Sequence, residues 1–182
     1  MKLTSKNGVL ILLVLAAAFS RLIPHAPNVT PLGAIALFGA AYFSRKWMAF
    51  LVPALAMFIS SLYINNVVFT ADSFVWFDVN FPAQVLSFAL IGWMGMSTLK
   101  EVKGKSLLFS SISASLIFFI VSNFSTWLTD GMYPMTAGGL ITCYEMAIPY
   151  FWNTLLGDAF YTGVIFGAFA LIRRQVPTLS HA

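Results

Sequence analysis

The chain has 182 residues, of which 59% are hydrophobic, 16% aromatic and only 9% charged, with a formal net charge of +4. A soluble domain is about a quarter charged, and a disordered chain combines low hydrophobicity with high charge, so both classes are excluded. What remains is an all-α integral membrane protein, expected as a single transmembrane domain over residues 1–182.

A bilayer-crossing helix needs about 20 apolar residues. Six segments come close, at about 8–23, 28–44, 47–63, 82–99, 106–124 and 149–172. The first follows Lys2 and Lys6 and contains Ala16-Ala17-Ala18, a layout shared with signal peptides. Its removal would leave an odd number of spans, so a retained helix is expected. The second carries Gly33, Ala36, Gly39 and Ala40, and Ala16 to Ser20 repeats the small-residue spacing on the first. Such faces let helices approach closely, either inside the molecule or against a partner membrane protein. The third holds Pro53, placed early enough to bend it. Pro24, Pro31, Pro82 and Pro149 are expected near helix ends, where a missing N–H costs little. Before the fifth span, Gly104-Lys105-Ser106 has the ending of a phosphate-binding loop. The first glycine of that motif is replaced by Leu99 and no strand precedes it, so no ATPase motif is read here.

Six crossings put Lys2, Lys6, Arg45, Lys46, Lys100, Lys103, Lys105, Arg173 and Arg174 on one side, leaving only Arg21 of the ten basic residues toward the other. The positive-inside rule makes the richer side cytoplasmic. Both termini are then cytoplasmic, and the expected location is the inner membrane, as a multi-pass protein in contact with lipid. Cations confined to short connections are not a nucleic-acid face.

The connections on the opposite side are richer in polar and aromatic residues. They run Pro24 to Asn28, about 64–81 with Asn65, Asn66, Asp72, Trp76, Asp78 and Asn80, and about 125–148 with Trp127, Asp130, Tyr133, Thr136, Cys143, Tyr144 and Glu145. Loops of this kind on a rigid frame hold binding sites, and they equally suit an interfacial aromatic belt. In the last span Thr154, Asp158 and Tyr161 share one helix face, with Asn153 and Gly157 beside them. Counted from Pro149, Asp158 lies about 14 Å along the helix. A carboxyl at that depth is either a functional group or a hydrogen-bonded clamp to Ser, Thr or Asn on a neighbouring helix. Gln84 opens the fourth span and Asn123 ends the fifth at a similar depth to Asn153 and Thr154. These helix ends can therefore surround one cavity open to the outside. The candidate substrate-binding set is Asn28, Gln84, Asn123, Trp127, Tyr133, Thr136, Tyr144, Asn153, Thr154 and Asp158.

Cys143, the single cysteine, excludes an intrachain disulfide framework. With His25 it offers a thiolate and an imidazole, a pair that suits cobalt, copper or zinc. No HExxH or CxxC spacing supports a metal centre, His181 falls in the cytoplasmic tail, and no nucleophile pattern accompanies the pair. Cys143 also reads as a small apolar residue at a loop–helix junction, and His25 as a turn residue between prolines.

Two blocks carry a family resemblance. One runs from Arg21 through Pro24-His25-Ala26-Pro27-Asn28 and Pro31 to Gly39. The other comprises Tyr133-Pro134-Met135-Thr136, Gly139 to Tyr144, and Ala147 through Pro149, Asn153 and Thr154 to Asp158. Together they resemble an uncharacterised family of six-helix bacterial membrane proteins. That family is similar to the substrate-binding S-components of energy-coupling factor (ECF) vitamin transporters. The resemblance implies an S-component-like bundle that binds a vitamin or metal-containing nutrient from outside. Such a bundle topples when docked to a transmembrane coupling subunit driven by two ATPases. It implies no intrinsic cofactor, with a vitamin or metal compound bound as cargo. It also implies a small-residue docking face, for which Ala16, Ser20, Ala36 and Ala40 are the candidates.

Three functions follow as expectations. The first is a non-enzymatic uptake component with an outward cavity lined by Asn123, Asn153, Thr154 and Asp158. The second is a structural or assembly subunit of a membrane complex, with exposed small-residue faces. The third is a metal-handling membrane protein or membrane enzyme that gathers Cys143, His25 and Asp158 within a few ångströms.

Overall fold

The structure is a computed structural model that describes residues 5–69 and 73–176. Lys2, Asp72 and His181, and the side chain of Lys6, lie outside the described residues. Six α-helices follow in order: α1 (Ser5–Ser20), α2 (Leu32–Tyr42), α3 (Met48–Tyr63), α4 (Phe81–Thr98), α5 (Gly104–Thr129) and α6 (Ala137–Gln175). A π-helical turn, Ile64–Val68, extends α3. No strand occurs among the described residues. Three helical stretches are long and apolar enough to cross a membrane: Met48–Val68, Gly104–Thr129 and Ala137–Gln175.

Two of the expected spans change shape. The second, expected over 28–44, is a helix of only 11 residues. The residues before it cannot join it. Asn28 takes a left-handed backbone with φ 65°, which Asn tolerates better than most residues. Pro31 disfavours helical geometry in the residue ahead of it. The sixth, expected to open at Pro149, starts at Ala137 and runs 39 residues with Pro149 inside. Here Thr136 caps the helix, its hydroxyl accepting from the Gly139 N–H at 3.1 Å. Pro149 removes only the bond to the Glu145 carbonyl, and α6 continues through that gap. The expected loop over 125–148 is therefore two converging helices joined by a short turn. At the start of α5, Ser106 folds back to accept from the Lys103 N–H at 3.0 Å. That gives the Gly104-Lys105-Ser106 stretch a capping role.

α2 is the axle of the fold. It packs against all five other helices, and Leu32 through Ala40 are all buried. Its small residues permit this. A Cβ on Gly39 would come within 2.9 Å of the Ala49 Cα, and one on Gly95 of α4 within 2.9 Å of the Ala40 Cβ. Phe38 anchors another face of the axle in an edge-on cluster with Phe166 and Phe169 of α6, ring centroids 5.3 and 5.4 Å away. The outer faces are apolar instead of polar: Leu12, Phe19, Ile59, Trp93 and Leu156 are each about two-thirds exposed. Water would not tolerate so large an apolar surface, and a bilayer covers it. This is the exterior of a membrane protein.

The two ends of the bundle differ. At the C-terminal end of α2, Lys46 donates to the Ala40 carbonyl at 2.8 Å. Lys100, Arg173 and Arg174 line a cleft beside Tyr42. The opposite end holds the 24–31 segment, residues 64–69 and 73–80, and the α5–α6 turn, with exposed Phe69, Phe74, Trp76 and Phe77. We refer to these as the basic end and the aromatic end.

Candidate functional site

The site begins where α2 fails to extend. The chain from Pro24 to Pro31 runs without regular helix, and Asn28, Thr30, Leu32 and Gly33 line a cavity of about 100 Å³. Its other walls come from Arg21, Met57 of α3, Gln84, Phe88 and Ile91 of α4, Phe118 of α5, and Thr154 and Asp158 of α6. A second cavity of about 210 Å³ shares Asn28, Gln84, Phe118 and Thr154 with it. It adds Asp78, Asn80, Asn123 and Tyr150 toward the aromatic end. A water occupies about 30 Å³ of liquid, so the pair has room for a small organic molecule. Apolar walls with a few convergent polar groups are the usual composition of ligand sites.

Asp158 is 4% exposed and sits near the middle of α6. Its Oδ2 accepts from the Ser115 hydroxyl of α5 at 2.7 Å, and the carboxylate lies against the α-carbon of Gly33. A Cβ there would collide with it, reaching within 3.1 Å of the carboxyl carbon. Immediately before Asp158, a Cβ on Gly157 would lie 3.0 Å from the Val29 Cα. Two glycines, one on α2 and one on α6, thus let the carboxylate and the unwound segment approach each other.

Arg21 faces the same cavity from the side of α3. Its Nη1 donates to the Met57 carbonyl at 3.2 Å and the Ser61 hydroxyl at 3.1 Å, and it also contacts the Ser60 hydroxyl. No ion pair joins Arg21 to Asp158; among the described residues the ion pair found is Lys103 with Glu101, on the surface. The amide oxygen of Gln84 is buried without a hydrogen-bond partner among the described residues. At the outer rim, Asn80 joins α4 to α5. Its Oδ1 accepts from Ser125 at 2.7 Å and its Nδ2 donates to Asp130 at 3.1 Å.

Of the sequence-derived candidates, Asn28, Gln84, Thr154 and Asp158 line the first cavity, and Asn123 joins the second. Asn153 lines neither. Trp127, Tyr133, Thr136 and Tyr144 also line neither; Trp127, Thr136 and Tyr144 instead bond within the α5–α6 hairpin. Trp127 Nε1 donates to the Pro134 carbonyl at 2.9 Å, and the Tyr144 hydroxyl to the Ile120 carbonyl at 2.7 Å. Cys143 is directed at the Asn123 carbonyl at 3.5 Å and His25 at the Ile23 carbonyl at 2.6 Å. Neither lines the cavity that holds Asp158. No group of three His, Cys, Asp or Glu side chains able to hold a metal ion occurs among the described residues.

The docking candidates divide. Ala36 and Ala40 are buried in the core, so this small-residue stripe is used inside the molecule and offers no face to a partner. Ser20 bonds the Tyr161 hydroxyl at 3.0 Å, and Ala16 is exposed on α1. Sequence reasoning missed Arg21 and Ser115 as site residues. The signal for Arg21 was present, as the one cation outside the basic group.

No curated protein and no solved structure matches the chain. A family model matches residues 1–179, and the chain belongs to that family, the family of unknown function DUF6580.

Proposed function

We propose that the chain is a membrane substrate-binding component, similar in kind to the S-components of ECF transporters. In this reading it captures a small nutrient, such as a vitamin or metal-containing compound, from the external side. The observation that carries the reading is the polar cavity framed by the unwound segment ahead of α2. Non-helical backbone at membrane depth is tolerated where it is buried in protein or lines a cavity. Interrupted helices frame small ligands in many transporters.

On this proposal all six helices cross. α2, only about 16 Å long at 1.5 Å per residue, is shielded from lipid by five neighbouring helices and completes its crossing with the 24–31 segment, of which Val29 to Pro31 are covered and Pro24 to Asn28 exposed. α6, about 58 Å long, exceeds a hydrocarbon core of about 30 Å, so its first turns project outward with the end of α5. The basic end faces the cytosol, in keeping with the positive-inside rule, and both termini lie there. The energy for release into the cell then comes from a coupling subunit and ATPases, with the exposed face of α1 around Ala16 as the docking surface.

Native mass spectrometry of the gently purified full chain tests capture. The expected result is a small molecule retained at up to one per chain and lost on unfolding. A chain that releases no small molecule, and whose Tm is unmoved by a panel of vitamins and other nutrients, would contradict it.

A further inference from the structure

Arg21 and Asp158 both line the first cavity and form no ion pair with each other. Arg21 is fixed on the α3 wall by bonds that all leave from Nη1, so Nη2 and Nε have no partner among the described residues. Asp158 is fixed on the wall made by α5, α6 and the start of α2. Its Oδ2 is held by Ser115, while its Oδ1 has no hydrogen-bond donor among the described residues. Beside them Gln84 presents a buried oxygen without a donor. The apolar part of the same lining includes Leu32, Met57, Phe88 and Phe118.

Keeping a cation and a carboxylate apart in an apolar cavity is costly unless something between them meets both. Free guanidinium N–H groups match a carboxylate, which they can grip with paired bonds. A carboxylate oxygen and an amide oxygen, both lacking donors, match the N–H groups of an ammonium. We infer that the cavity takes a small zwitterion of the amino-acid type, its carboxylate on Arg21 and its ammonium on Asp158 and Gln84. This rests on the capture reading above and adds the chemical class of its substrate.

The test uses the full chain in lipid nanodiscs and isothermal titration with the twenty common L-amino acids and β-alanine. Any compound that binds is compared with its N-acetyl and methyl-ester forms. The expected result is at least one free amino acid that binds, with each blocked form weaker by about tenfold or more, the loss of one charge-assisted contact. Asp158→Asn, which keeps shape and the Ser115 contact, is expected to weaken the free amino acid by about as much. Because Arg21→Gln could unfold the chain, Arg21→Lys serves as the milder variant, and a shift in the ratio of free acid to methyl ester is read there. Equal binding of free and blocked forms, or no binding by any of the compounds, overturns the inference. If a retained metabolite without both charges is then found by native mass spectrometry, capture stands and the zwitterion falls. If no metabolite is retained either, both fall.

Discussion

Replacing Arg21 by alanine is expected to destabilise the protein by about 2–4 kcal/mol, the range for losing several hydrogen bonds to one charged group. The bonds at risk tie the end of α1 to Met57, Ser60 and Ser61 near the end of α3. α1 is otherwise lightly attached: its contacts with α2 and α3 are few compared with those that bind α2 to α3 and α4. Interhelical hydrogen bonds in membranes average only about 0.6 kcal/mol, so three neutral contacts would give the lower end of the range. The charge on the donor strengthens each bond that the substitution removes, which sets the upper end. Ser60 also donates to the Ala56 carbonyl at 2.7 Å, so its hydroxyl is not orphaned by the substitution and does not inflate the loss. The measurement is the unfolding free energy of the purified protein in mixed micelles. A loss below about 0.5 kcal/mol, the size of an ordinary surface change, would show that Arg21 does not fasten α1.

Gly33→Ala is expected to cost about 2–3 kcal/mol, at the upper part of the range for overpacking a tight core. The added carbon would strike the Asp158 carboxylate. Neither side can retreat easily, since α2 is gripped by five helices and Asp158 is held by Ser115. Combining it with Asp158→Ala removes the obstacle, and Ser115 keeps a bond to the Ser111 carbonyl at 3.2 Å. In that background Gly33→Ala is expected to cost less than about 1 kcal/mol. The cycle should then show a coupling of about 1–2 kcal/mol, within the range for residues in contact. Strictly additive losses would mean that the carboxylate does not lie over Gly33.

Much of the site was legible because it consists of polar residues where hydropathy forbids them. Asp158 stands out in an apolar run, and the expectation that a Ser, Thr or Asn on a neighbouring helix would meet it is matched by Ser115. Gln84 and Thr154 were recognisable for the same reason, and Asn28 from its place in a polar external connection. Arg21 was not read as part of the site, because a cation close to the end of the expected 8–23 span looks like an ordinary flank. Only the three-dimensional approach of α3 turns it inward. The aromatic and polar residues of the α5–α6 turn misled in the opposite direction. Trp127 and Tyr144 have the composition of a binding loop, yet they satisfy carbonyls of their own hairpin. Their role depends on α6 beginning at Ala137, and Gly138, Gly139 and Pro149 all argue locally against a helix there. The shortness of α2 was visible in Pro24, Pro27 and Pro31, but its apolar residues counted toward a full span. A helix buried on every side has the composition of one that faces lipid.

The central claim is that the cavity opens to the exterior while the basic end stays in the cytosol. In a Cys143→Ala background, single cysteines at Met135, in the exposed α5–α6 turn, and at Lys103, before α5, can be probed in intact bacterial cells with a membrane-impermeant maleimide. The account predicts that Met135→Cys is labelled in intact cells and that Lys103→Cys is labelled only after permeabilisation. Labelling of Lys103→Cys in intact cells, with Met135→Cys protected until the membrane is opened, would contradict it and reverse the direction of capture.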